Sequence, residues 1–227
     1  MQGLLVAFMN PPADEDAFNA WYDEEHVPLR MGIPGFLNGR RYKAVDDTPA
    51  TASTVPPPAG VLDSSSHPRY LALYDLESTN VLDSEPYTRL IPERSQRERD
   101  MIARIPFTDR RVGELVLDCP EWTRDAPYQL VVCMSPSSGG ADDFVAWYRE
   151  EHIPMLLAVN GWRRTRLFRQ VDGHGPAFMA IHELESPQVF ERPEYVAAIS
   201  TPWRKRIRAS VTRYERDLFQ LWRPNRR

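Results

Sequence analysis

The sequence predicts an α+β fold in which two copies of one β-α-β-β-α-β unit pack sheet to sheet. The first observation is an internal repeat: FNAWYDEEHVP at residues 18–28 returns as FVAWYREEHIP at residues 144–154, an offset of 126 residues (144 minus 18). The second is a later block, YLALYDLES at 70–78, which returns as FMAIHELES at 178–186 with an offset of 108 (178 minus 70). Two colinear matches of this length indicate a tandem duplication.

The duplication divides the chain into a first repeat, residues 1–118, and a second repeat, residues 128–227, joined by a proline-containing linker at 119–127. The two offsets differ by 18 residues (126 minus 108), which places an insertion in the first repeat at about 48–68. This segment is rich in Pro, Ser, Thr and Ala, as is typical of an irregular loop. The loop is either a lid over a cavity or a plain spacer.

Within each repeat the hydrophobic pattern predicts four strands and two helices. The strands are expected at 4–9, 36–45, 70–76 and 112–117, and again at 129–134, 162–171, 178–184 and 217–222. The first helix begins near residue 16 or 142 and ends at the proline that follows the histidine of the repeated motif. The second helix is expected at 87–105 or 195–211, where Pro92 and Pro202 break or delay it. Helices cover one face of such a sheet, so a second sheet is the natural cover for the other.

Composition narrows the function classes. The net charge of −4 gives no basic excess for binding nucleic acid. No apolar run reaches 18 residues, so no membrane span is expected, and a cytoplasmic location follows. Cys119 and Cys133 form neither a disulfide framework nor a zinc-binding pattern, and no metal site is expected.

The first helix carries polar side chains on its apolar stripe. At 100° per residue, Trp21, Tyr22 and Glu25 share that stripe and His26 lies at its edge. The second repeat has the same pattern with Trp147, Tyr148, Glu151 and His152. A glutamate or histidine at the rim of an apolar cavity is a candidate general base, since burial tunes its pKa, and the aromatic residues are candidates for binding substrate.

Each of these residues also has a structural interpretation. Glu25 could pair with Arg40, and Glu151 with Arg166, to hold the helix to the sheet. The histidines could instead hydrogen-bond the free carbonyls at the helix end.

The third strand differs between the repeats at one informative position. Tyr74 and His182 occupy the same place, with a small alanine two residues before each. His182 is a candidate base and Tyr74 a candidate donor to an enolate, although both could be core residues with a satisfied polar tip. Arg40 and Arg166, on an inward strand face, could bind a substrate carboxylate or pair with the glutamates.

Three motifs, W-Y-x-E-E-H-x-P, P-G-F-x-x-x-R-R-Y and Y-L-A-L-Y-D-L-E, occur in this order along the first repeat. On these motifs the sequence resembles the dimeric α+β barrel superfamily, and its EthD-like branch most closely, fused in tandem. The resemblance implies two ferredoxin-like repeats forming a pseudo-dimeric α+β barrel within one chain. It also implies that His26 or His152 borders a pocket. Members include polyketide cyclases, lactone isomerases, decarboxylases, cofactor-free monooxygenases and haem enzymes.

The sequence therefore predicts a cofactor-independent enzyme of lyase, isomerase or cyclase type. It would perform proton-transfer chemistry (cyclisation, isomerisation, dehydration or decarboxylation) on a small apolar oxygenated substrate, such as a polyketide-like or aromatic compound of secondary metabolism. One alternative is a non-catalytic ligand-binding or accessory module, and another is a cofactor-free or haem-dependent oxygenase. The expected partner is a small molecule, with no nucleic acid or membrane, and further homo-oligomerisation stays open.

Overall fold

The computed structural model describes residues 1–45, 62–63, 68–119 and 126–222. In chain order its strands are β1 (Gly3–Asn10), β2 (Phe36–Ala44), β3 (Leu62–Asp63), β4 (Tyr70–Leu76), β5 (Phe107–Cys119), β6 (Tyr128–Pro136), β7 (Trp162–Asp172), β8 (Phe178–Leu184) and β9 (Val211–Leu221). Most of the predicted insertion at 48–68 and of the linker at 119–127 lies outside the described residues.

Eight of the strands form one closed antiparallel barrel in the order β2-β4-β1-β5-β7-β8-β6-β9. The barrel closes because β2 pairs with β9, and strands of different repeats also meet where β5 pairs with β7. The short β3 pairs with β9 in parallel.

The predicted fold class, two ferredoxin-like sheets packed face to face, is therefore wrong. The edge strands of the two repeats hydrogen-bond to each other, which satisfies their free backbone groups and closes the sheet on itself.

The helices are short and lie on the outside of the barrel. They are α1 (Glu15–Trp21), α2 (Val27–Met31), α3 (Glu85–Arg89), α4 (Gln96–Arg104), α5 (Ala141–Trp147), α6 (Ile153–Leu157), α7 (Pro193–Ala198) and α8 (Pro202–Ser210). The predicted second helix is split in each repeat, into α3 and α4 or into α7 and α8. No described helix is long and apolar enough to cross a bilayer.

A π-helical turn interrupts the first helix of each repeat, at Tyr22–His26 and at Tyr148–His152. The helix was expected to end at the proline after the histidine, but it continues through α2 and α6. In each repeat the proline stands in the first turn of the α-helix that follows the π-helical turn.

Alternation along the strands separates the core into an inner and an outer part. Side chains such as Leu4, Val6 and Phe8 fill the barrel. Side chains of the opposite parity, such as Leu5 and Tyr74, face outward and pack under the helices of their own repeat. Each repeat therefore has a separate apolar layer between the barrel wall and its helices.

Candidate functional site

A cavity of about 220 Å³ lies between the barrel wall and the helices of the first repeat. It is referred to below as the first cavity. Its wall is contributed by β1, β4, β5 and the helices around them: Leu5, Ala7, Met9, Trp21, Tyr22, His26, Arg30, Tyr74, Tyr87, Arg94, Ile102, Ile105, Thr108 and Arg110. The cavity is mostly apolar with a few polar groups, as is usual for small-molecule sites.

The π-helical turn places His26 at the cavity wall. The imidazole lies against the rings of Trp21 and Tyr22, with centroid separations of 4.7 and 4.4 Å. Burial lowers the pKa of His26 to about 4, and contact with Glu98 offsets this only in part. The imidazole is consequently neutral near pH 7 and able to accept a proton.

A buried carboxylate stands behind His26. Oε1 of Glu98 lies 3.3 Å from Nδ1 of His26, at an angle poor for a hydrogen bond, and accepts one from Nη1 of Arg30 at 2.9 Å. Burial alone would raise the pKa of Glu98, but contact with His26 and the charge of Arg30 outweigh it and hold the pKa at about 2. An ionised Glu98 beside Nδ1 favours the tautomer in which Nε2 is the free acceptor. Sequence reasoning missed Glu98 and Arg30.

Two further polar donors lie in the wall of the first cavity. Nε1 of Trp21 has no hydrogen-bond partner among the described residues, and the hydroxyl of Tyr74 has only the hydroxyl of Tyr22 close to it, at a geometry poor for a hydrogen bond. Burial raises the pKa of Tyr74 well above its ordinary value, with the neighbouring Tyr22 adding to the effect. Tyr74 therefore stays protonated and can donate. Unpaired donors in a buried cavity are costly unless a ligand or water satisfies them.

The predicted bases Glu25 and Glu151 have the same structural contact in both repeats. Glu25 accepts a hydrogen bond from the hydroxyl of Ser95, and Glu151 accepts one from Thr201 at 2.6 Å. Ser95 and Thr201 also cap α4 and α8. Each glutamate therefore ties the first helix of its repeat to the second.

The predicted arginines lie elsewhere in the molecule. Arg40 and Arg166 donate to opposite oxygens of Asp75, at 3.3 and 2.5 Å, so the expected pairing with the two glutamates does not occur. They line a separate polar cavity of about 320 Å³ that also includes Arg164 and Phe168.

The equivalent space in the second repeat is about 40 Å³, enough for little more than water. Trp147, Tyr148, His152 and His182 line it. His182 Nδ1 lies 2.9 Å from Oγ1 of Thr165, and burial lowers its pKa to about 3. Burial also lowers the pKa of His152 well below its ordinary value, and His182 and Arg204 add to this effect.

The difference in volume between the two cavities comes from the side chains at one pair of equivalent strand positions. Met9 pairs with Thr108 in the first repeat, whereas the corresponding Met134 pairs with Tyr214. The large Tyr214 is buried against the second cavity where the first has a threonine.

The ion pair behind His26 is also absent from the second repeat. Glu98 lies three residues after the cap Ser95 in the first repeat. In the second repeat the residue three positions after the cap Thr201 is Arg204, so a cation replaces the carboxylate. At the repeat offset, Leu156 replaces Arg30. Among the described residues, an open cavity and a histidine beside a carboxylate occur together in the first repeat alone.

Haem, one of the alternatives considered from sequence, does not fit these residues. The first cavity is below the usual range of about 300–1,000 Å³ even for drug-sized ligands, and a porphyrin is larger still. The histidines of the second repeat face a space near the size of one water.

The barrel fold has relatives among solved structures. An anthrone oxidase-like protein superposes with a TM-score of 0.65 at 14% identity, covering 98% of this chain and 91% of the other. A variant chlorite dismutase from Candidatus Nitrospira defluvii in complex with cyanide gives a TM-score of 0.60 at 11% identity, covering 98% and 91%. A candidate monooxygenase from Lactobacillus acidophilus NCFM gives 0.54 at 10% identity, covering 97% and 93%. No protein-family model and no curated protein matches the sequence.

These similarities show the barrel fold alone, and membership of the dimeric α+β barrel superfamily and of its EthD-like branch stays a prediction. They also bear on the predicted type of reaction. The similar structures are described as oxidase-like, monooxygenase and chlorite dismutase proteins, so the predicted cyclase, lyase or isomerase type is not supported.

Proposed function

We propose that the chain is a cofactor-independent oxygenase that oxidises a small aromatic substrate, such as a phenol or an anthrone, in the first cavity. One observation carries the proposal: a neutral His26, in contact with ionised Glu98, borders an apolar cavity together with the N–H of Trp21 and the hydroxyl of Tyr74. Two of the similar solved structures, the anthrone oxidase-like protein and the candidate monooxygenase, support the same chemistry.

The first step is proton abstraction. Nε2 of His26 takes a proton from an acidic C–H or O–H group of the substrate, and Glu98 stabilises the imidazolium that forms. The hydroxyl of Tyr74 and Nε1 of Trp21 donate to the substrate oxygen as negative charge develops there. Both donors are fixed in the cavity wall, so they need little reorganisation during the reaction.

The second step is reaction with dioxygen. The electron-rich substrate anion transfers electrons to O₂ directly, and one oxygen atom bonds to the deprotonated carbon. For an anthrone the balance is a CH₂ group plus O₂ giving a carbonyl group plus water, with the proton on His26 returning to the departing hydroxide. The apolar wall keeps bulk water away from the anion.

Oxygen uptake with anthrone and with alkylated hydroquinones tests the proposal. We expect turnover by the wild type and a loss of about 100-fold to 10,000-fold in His26→Ala, because a general base is removed. The matched control is His152→Ala, the same position of the second repeat, which should retain activity. Activity of the wild type should fall as pH drops through about 4, where His26 becomes protonated.

Two outcomes contradict the proposal. Equal loss of activity in the two alanine variants, with both folded, would show that His26 has no special role. Saturable binding of every compound without any oxygen uptake would indicate a non-catalytic binding module.

A further inference from the structure

We infer that Arg94 binds an anionic group on the ligand of the first cavity, so that the ligand is an aromatic acid. The inference rests on the proposed function for the choice of cavity and adds the chemical class of the ligand. It starts from the charges of the cavity wall.

Three arginines line the first cavity, and two of them have acidic partners. Arg30 donates to Glu98 at 2.9 Å, and Arg110 donates to Asp172 at 2.6 Å. Arg94 is different: within the part of the chain that the structure describes, no carboxylate forms an ion pair with it, and its buried Nε has no hydrogen-bond acceptor. With His26 neutral, the cavity wall carries one uncompensated positive charge.

The backbone around Arg94 is fixed on both sides. Before it, the amide of Glu93 donates to the carbonyl of Arg89 at 3.2 Å. After it, Ser95 caps α4 by accepting from the amide of Glu98 at 2.9 Å, and donates to Glu25. The backbone that carries the Arg94 side chain is therefore held in place between α3 and α4.

The second repeat lacks this group. Because Ser95 and Thr201 are equivalent caps, the residue before each is Arg94 in one repeat and Ser200 in the other. The Ser200 hydroxyl donates to the carbonyl of Val196 at 2.6 Å, within its own helical segment. The smaller second cavity has Arg204 in its wall instead, and this arginine donates to the carbonyl of Ile199 at 2.6 Å.

The chemistry of the ligand follows from these groups. Nε and one Nη of a guanidinium form a planar fork that matches the two oxygens of a carboxylate. A buried Nε without an acceptor is costly, and an incoming carboxylate removes that cost. The rings of Trp21, Tyr22 and Tyr87 provide the apolar surface for an aromatic body.

Calorimetric titration with naphthoic acid and with its uncharged amide, naphthamide, tests the inference. We expect the wild type to bind the acid at least about tenfold more tightly, as for a hydrogen bond to a charged group. Arg94→Ala should remove that preference while the affinity for the amide stays within about twofold. Arg94→Lys, which keeps the charge without the fork, should retain part of it. Arg110→Ala is the matched control, since this cation already has Asp172.

The outcomes separate this inference from the proposed function. An unchanged preference for the acid in a folded Arg94→Ala variant, or no preference in the wild type, overturns the inference even if anthrone is oxidised. A preference that is lost in Arg94→Ala sustains the inference, whether or not oxygen is consumed. Loss of the preference in Arg110→Ala to the same degree would also overturn it, because the effect would then belong to the general charge of the cavity mouth.

Discussion

At the scale of single residues, the site depends on side chains that are distant in sequence. Glu98 lies on a helix whose charged residues suggest a solvated face, yet it is 1% exposed and contacts His26 and Arg30. The pattern of one helix cannot reveal that its carboxylate points at an arginine 68 residues away. By contrast, Trp21, Tyr22, His26 and Tyr74 were named from helix and strand periodicity, and all four line the first cavity.

The buried histidines make the folded protein sensitive to acid. Burial lowers the pKa of His26 to about 4 and that of His182 to about 3, from an ordinary value of 6.5, and His152 shifts in the same direction. Below about pH 6.5 the unfolded chain therefore binds more protons than the folded protein. The stability that these neutral histidines contribute is fully present above about pH 6.5. It is lost progressively as the pH falls towards about 4.

We expect His26 and His182 each to lower the free energy of unfolding by roughly 2 kcal/mol between about pH 7 and pH 5, and His152 to act in the same direction. His152→Phe removes one such group, so the difference in the free energy of unfolding between the two pH values should shrink. Urea unfolding at both pH values measures it. His174→Phe, the same substitution at an exposed position, is the comparison variant. An unaltered pH dependence in His152→Phe would contradict the burial argument.

At the scale of elements, the sequence predicts the order of strands and helices but not the details of the helices. The order of strands and helices in each repeat agrees with the alternation of apolar residues, because that alternation reports which face is buried. The π-helical turns at Tyr22–His26 and Tyr148–His152 were not predicted. An α-helical turn and a π-helical turn have nearly the same residue composition, so the sequence pattern does not distinguish them.

Side chains on the strands set the size of each cavity. Replacing a strand residue of one repeat by its equivalent from the other repeat tests this. Thr108→Tyr copies Tyr214 into the first cavity, where it should fill most of the space. We expect ligand binding and oxygen uptake to fall by at least about tenfold while the thermal midpoint changes little, since the second repeat already accommodates this residue. Thr108→Ser is the control and should bind normally. Normal binding by a folded Thr108→Tyr variant would place the ligand elsewhere.

At the scale of the whole molecule, pairing between repeats could not be predicted from sequence. Patterning indicates which face of a strand is buried, but not whether an edge strand hydrogen-bonds to a strand a hundred residues away. The contacts between repeats extend beyond the sheet: Nε1 of Trp222, from the second repeat, donates to Asp23 at 3.0 Å and the indole packs edge-on against Tyr70. The two repeats are consequently one folding unit in the barrel, although each has its own outer layer of helices.

We propose that neither repeat is stable as a monomer by itself. A fragment of residues 1–118 would expose the inner face of its sheet, including Leu4, Val6 and Phe8, and would leave the edges of β2 and β5 unpaired. Two identical copies could cover these faces and edges for each other, because the repeats are related in sequence. The fragment should therefore be either aggregated or a homodimer, and the full chain should unfold in a single transition.

Size-exclusion chromatography with light scattering measures the state of the fragment. Guanidinium unfolding monitored by fluorescence and circular dichroism measures the number of transitions in the full chain. A folded monomeric fragment, or two separated transitions in the full chain, would mean that the apolar layer of each repeat is sufficient for folding and that barrel closure contributes little.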